Sequence, residues 1–429
     1  MAVPINLFTR HTSVAFDDQT NYLTKSAEAV DANWRWLDCE VVLPDKVSLG
    51  REQEQYIRPN SAVGAVSPPI VGGRHGGELT IREVFKGQAS SGWAAEDATA
   101  FSPIAELLAD AIGGTVDLTF VDQNCVGNAV SATVDVTLAT GYECGALVAW
   151  GVDGGTSVRG MGWIKDVTDD AQDTITLAAV PTGSGNNPTA LDTTYASKTG
   201  YLSLDQPTAK TFRAPGHDED WDFRAISCVP KSAKISLMPG MPPSVEIAYD
   251  VGDYEWDMTD DGTVRNPDSY QSFPAITDAN GARFLIDGTE YTRGFGAGVE
   301  IEIVNTIDYF KGGGLEGYAA FVIPHREVTV KFQVPIQDSD LSANYLNWTN
   351  KFTAGTAFSF QFELGVIVGQ VLSIYCPALK LSEQPQLVTV GNETVGLEIT
   401  AKPSVPTGDA TTHDGVAGCE NTVFRFAVA

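Results

Sequence analysis

The chain has 429 residues, 43% hydrophobic and 19% charged, a composition that excludes a disordered protein. Its 55 acidic residues against 27 basic ones give a formal net charge of −28, a surface that repels phosphate and argues against a stable grip on nucleic acid, though not against a duct through which DNA slides. Generic solubility or adaptation to high salt is the competing explanation of that charge. Gly 42 and Pro 22, with Val, Thr and aromatics throughout, favour strands and turns over helices.

Cys39, Cys125, Cys144, Cys228, Cys376 and Cys419 stand far apart. No CxxC pair supports a zinc or redox site, so each is expected to be a small buried hydrophobe. The N-terminal MAVPINLFTRHTS lacks the apolar core of a signal peptide, and no run of 18 apolar residues is present, so no membrane span is expected. Folding in a cytoplasm is expected.

In chain order, residues 1–35 read as an extended arm. Residues 36–50 read as two strands about a turn at Pro44-Asp45, residues 51–77 as a long Gly/Pro/Ser-rich loop, and 78–86 as a strand. The clearest helix is 102–113. Ser102 can cap it, Pro103 occupies the first helical position, and Ile104, Leu107, Leu108, Ala111 and Ile112 make one apolar face. Gly113-Gly114 ends it. Strands follow at 116–121, 131–138, 146–152, 173–179, 201–205, 210–214, 223–228, 233–238 and 245–252.

The acidic, turn-rich stretch 255–280 reads as a linker. Beyond it, strands are expected at 299–305, 317–323, 327–336, 357–364, 370–376, 395–401 and 423–428, with a second helix at 341–355 whose stripe is Leu341, Tyr345, Trp348 and Phe352. The domain plan is therefore an arm (1–35), a first domain (36–254) with an insertion around 123–200, a linker (255–280) and a second domain (281–429). Each half has strands, one amphipathic helix and further strands, which suggests a duplication.

Candidate chemistry is sparse. Asp257, Asp261 and Asp268, with Thr259 and Gly262, partly mimic a calcium loop, but Pro267 interrupts it and an acidic turn is the simpler reading. His217-Asp218-Glu219-Asp220 with Asp222 reads as a solvated acidic loop. Ser157 and Ser184 are Gly-flanked turn serines outside any GxSxG context. No catalytic residue, cofactor or metal is assigned, and no enzyme activity is expected.

The order of features resembles the tail tube (major tail) proteins of long-tailed phages and related tailed viruses, in a two-domain version. The resemblance rests on GGELTIREVFKGQ (76–88) followed by SPIAELLADAIGG (102–114). It continues in AISCVPKSAKISLMPGMPPSVEIAYDVG (225–252) and the C-terminal residues 392–429. It departs in the insertion around 123–200. The resemblance implies a mainly β fold: two tandem β-sandwich or barrel domains, each flanked by one helix, with an arm and long loops. It implies copies joined edge to edge in stacked trimeric, pseudo-hexameric rings around an acidic DNA conduit in the virion. Tape-measure, terminator or baseplate proteins are the implied partners.

Alternation of Glu300 and Glu302 with Val299, Ile301 and Ile303, and of Gln361 and Glu363 with Phe358, Phe360 and Phe362, nominates these four polar residues as lumen-facing. An ordinary solvent face is the alternative. Other open roles are a capsid decoration, baseplate or adhesin protein and, more remotely, a β-sandwich glycan hydrolase or lectin.

Overall fold

Alternating apolar sequence becomes long antiparallel strand here. The computed structural model describes residues 10–11, 14–19, 34–42, 48–52, 70–75, 77–89, 101–117, 124–127, 133–136, 142, 144–152, 157–168, 173–178, 188, 192–195, 197–215, 222–257, 270–291, 298–311, 318–335, 341–367, 369–390, 394–404 and 422–429. The fold is mainly β, with two α-helices among the described residues, Pro103–Ile112 and Leu341–Ala354.

The main sheet runs without a break through both halves. Its strand order is Glu40–Val42, Gly77–Val84, Ser244–Asp257, Asp222–Leu237, Val299–Lys311, Tyr318–Pro335, Thr394–Pro403 and Gln386–Val390, every neighbour antiparallel. The first four strands belong to the first half and the last four to the second. Apart from Lys210–Pro215, which pairs along residues 222–228 of the first half, both halves use the main elements in the same order: an outer strand, its inner neighbour, the helix, a strand pair of a second sheet, the far edge strand, and last the strand beside it. One strand plan is thus used twice.

A second layer, continuous with the main sheet where residues 379–381 pair with 401–403, also crosses between the halves. Gly113–Asp117 pairs with Lys198–Leu202, which pairs with the C-terminal strand Arg425–Val428. That strand pairs in turn with Leu372–Leu381, followed by Phe358–Leu364 and Arg283–Ile286. One hydrophobic core draws on both halves, from Phe16 and Ile81 to Trp348, Phe360 and Phe426.

In the first helix Ile104, Leu107, Leu108, Ala111 and Ile112 are all fully buried. Pro103 starts it as expected, but the Ser102 hydroxyl makes no cap; it donates to the Lys86 carbonyl at 2.7 Å. Gly113 closes the helix with φ 104°, a left-handed conformation that a side chain would strain. In the second helix Trp348 packs edge-on against Phe332 and Phe358, whereas Phe352 is exposed, so the expected stripe does not stay buried to its end. The Leu341 and Tyr345 side chains lie outside the described set.

Three segments depart from the domain plan. Val14–Asp18, expected in an arm, pairs with Lys210–Pro215 and Arg35–Leu37, and Val14, Ala15 and Phe16 are buried. The loop expected at 51–77 contains the strand Ile70–His75, which pairs with Ser48–Glu52. The expected linker docks on the first half: Tyr270–Ser272 pairs with Lys86–Ala89, and Phe273 packs on Phe85. The insertion is a closed six-stranded barrel, in cyclic order Asn124–Gly127, Thr133–Val136, Thr174–Leu177, Val158–Thr168, Leu147–Val152 and Asp192–Tyr195. Trp150, Ile164 and Ile175 belong to its own core.

The C-terminal strand holds the halves together through Phe426. Its ring stacks on Phe101 and lies so close over Gly200 that any side chain there would collide with it. Phe426→Ala is expected to lower the unfolding free energy by about 3–5 kcal/mol. Urea denaturation followed by tryptophan fluorescence checks this; a loss below about 1 kcal/mol would mean the strand is not a core element.

Candidate functional site

The main sheet has one face on the core and one open face, and the open face is the candidate site. Alternation puts every second side chain there. The register aligns Glu40, Arg82, Glu246, Lys234, Glu302 and Thr329 in one row across six strands. Lys402 continues the row, one position beyond the paired Val330 and Ala401. A parallel row holds Ser244, Ser236, Glu300, Lys331 and Thr400.

Signs alternate along these rows, and neighbours pair. Arg82 reaches Glu246 at 2.8 Å through Nε and Glu40 at 3.9 Å. Lys234 of the first half reaches Glu300 of the second at 2.8 Å. Lys231 meets Glu78 at 2.6 Å, and Lys402 pairs with Glu327. The hydrogen bond and charge of Glu246 raise the Arg82 pKa, and Lys402 holds Glu327 below the ordinary carboxylate value. Exposed pairs of this kind are worth about 0–1 kcal/mol each, so they set register and surface potential more than stability.

Glu300 and Glu302 therefore lie on the open face, but Gln361 and Glu363 do not share it. Both are buried, at 3% and 4% exposure. They sit in the second sheet, in register with Tyr375 and Ser373. The inserted barrel covers that side: Trp163 stacks on Tyr375 and its Nε1 donates to Ser373 Oγ at 2.9 Å. Alternation marked a polar face, but could not reveal a cover drawn from a distant part of the chain. Inside, Glu363 accepts from Arg283 at 3.1 Å and from Gln361 at 2.6 Å.

A second charged cluster, missed in the sequence, joins the Val14–Asp18 strand to the first helix. Arg35 pairs with Asp18 at 3.0 Å and with Glu106, while Lys210 pairs with Asp18 and Asp110. Burial pushes the Asp110 and Glu106 carboxyls up. Burial opposes the charge on Lys210, but Asp110 and Asp18 outweigh it and raise its pKa. Its members stretch from Asp18 to Lys210, which no local pattern connects. The cluster is a set of mutual ion pairs that fastens the strand to the helix.

The other nominated residues form no centre. Asp257 ends its strand, while Asp261, Asp268 and the 217–220 cluster lie outside the described residues, as do Ser184 and Cys419. Ser157 bridges to Ile367 in backbone pairing. The five described cysteines are buried. Among the described residues no three His, Cys, Asp or Glu side chains gather to hold a metal. A cleft of about 180 Å³ opens on the sheet beside Ser236, Glu300, Lys331 and Glu398, below the roughly 300–1,000 Å³ of ordinary small-molecule pockets. No family model matches the chain, and no curated protein matches it. No described helix is long and apolar enough to cross a membrane.

Burial raises the Glu363 pKa from 4.5 to about 7. Below the unfolded value both states are protonated; as pH rises towards 7 the unfolded state loses its proton first. Stability should therefore fall across that window, by up to about 3 kcal/mol from this group. Urea denaturation at pH 5, 6 and 7 should show Glu363→Gln gaining on the unmodified protein as pH rises; a constant difference would place the Glu363 pKa near its ordinary value.

Proposed function

We propose that the chain is a structural virion protein, a tail tube subunit whose copies assemble into stacked rings around a conduit for genome ejection. The observation that carries this reading is the seam between its halves, where residues 232–237 pair edge to edge with 299–304. A chain that joins two copies of one strand plan through their sheet edges already contains the contact that a ring repeats. The resemblance of 76–114 and 225–252 to tail tube proteins points the same way.

The resemblance implies six units per ring; each chain supplies two, so three copies make a pseudo-sixfold ring, with eight main-sheet strands from each. In that ring the open face lines the lumen. Its acids, among them Glu40, Glu246, Glu300 and Glu302, are interleaved with Arg82, Lys234, Lys331 and Lys402. The lumen wall is then mixed in sign, with no continuous basic track to hold phosphate. DNA passes without specific binding. Tape-measure, terminator and baseplate proteins are the partners of such a tube.

Negative-stain microscopy and mass photometry of the purified chain test the reading. Hollow rings or tubes built from three copies per ring are expected, without added metal or substrate. Stable monomers at high protein concentration would overturn it.

A further inference from the structure

We infer that the contact between copies is made by the edge strand Gln386–Val390 of one copy on the Glu40–Val42 edge of the next, repeating the internal seam; this rests on the ring reading proposed above. The two edges hold the positions in the repeated plan that the two seam strands hold. In the first half the far edge strand is Asp222–Leu237; Lys210–Pro215 pairs along its residues 222–228, and its residues 232–237 pair outward with the first strand of the second half. In the second half the same place is held by Gln386–Val390, which among the described residues pairs only with Thr394–Pro403. The strand that begins the first half, and so corresponds to Val299–Lys311, is Glu40–Val42.

Leu387 supplies an independent observation. It stands opposite Leu397, a fully buried core residue. Ile235 stands in the same relation to Val245, and is itself fully buried because Ile301 covers it from across the seam. Leu387 has no such cover and is 60% exposed. A leucine on the core side of a sheet, with no described strand beyond it, fits another β-strand better than it fits solvent. The segment Gln-Leu-Val-Thr-Val also carries no charge, proline or glycine, the usual guards of an exposed edge.

Among the described residues one short strand lies along the receiving edge. The strand that lies along it, Arg10–His11, is two residues long and pairs with Val42 and Val41. The incoming strand takes the place of this short pairing. Because one edge meets a different edge, the contact is heterologous and closes a ring only when the rotation per copy fits an integer.

The test compares the unmodified chain with Leu387→Lys. Leu387 is exposed in the single chain, so the variant should keep its circular dichroism and melting temperature but lose ring formation. In a second arm, Glu40→Cys/Val388→Cys is treated with a short bis-maleimide. Covalent dimers and trimers should form in the double variant and be absent from either single one. If the unmodified chain forms rings and Leu387→Lys forms them equally well, or the double variant does not cross-link between copies, the junction lies elsewhere while the ring reading stands. If the unmodified chain forms no rings, the ring reading fails and this inference fails with it.

Discussion

Six antiparallel residue pairs, between 232–237 and 299–304, make one body of the two halves. Their core side contributes Ala233, Ile235, Leu237, Val299, Ile301 and Ile303, none more than 2% exposed. Their open side contributes Lys234 against Glu300 and Glu302. A slip of one residue would drive these charges into the core, so the register is strongly specified. Polar groups then fix the angle. Asn305 donates to the carbonyls of Ala111 at 3.0 Å and Pro230 at 2.9 Å, and Arg326 donates to those of Ser203 at 2.6 Å and Asp205 at 2.7 Å. All four acceptors belong to the first half, and both donors to the second.

What the sequence discloses follows from how local each signal is. The first helix was legible because its apolar spacing, Pro103 and Gly113 all lie within one segment. The alternation of 299–305 gave one wet face and one dry face, since the strand has a single covered side. The same reasoning failed at 358–364, where Phe358, Phe360 and Phe362 face the core while Gln361 and Glu363 are buried as well. The cover there comes from Trp163 and its neighbours, about two hundred residues earlier in the chain. Val14–Asp18 was missed for a related reason: a five-residue strand in a polar stretch has too little pattern to announce itself, and its partners begin at Arg35 and Lys210.

Net charge proved a poor guide to the open face. The whole chain carries −28, yet the sheet surface alternates acids and bases in register. Cross-strand geometry explains why. Like charges directly opposite one another would repel at about 5 Å, so a wide antiparallel sheet with one wet side favours alternating signs or neutral residues. The excess acid must therefore be distributed over other parts of the surface, and a potential inferred from composition does not transfer to a particular wall.

The internal seam and the two outer edges differ in one respect that bears on assembly. The seam is braced by a second layer, because Arg425–Val428 pairs with Lys198–Leu202 of the first half and Leu372–Leu381 of the second. Two layers joined across one boundary resist hinge motion far better than one, so the angle between the halves is set within the chain. The proposed junction between copies on Gln386–Val390 would begin with the main sheet alone. Half of the junctions in a ring would then arrive with their curvature fixed, and they would dictate the curvature of the rest. In the proposed ring, fusing two units in one chain would do more than halve the number of association steps: it would convert every second contact from an equilibrium to be reached into a template already folded.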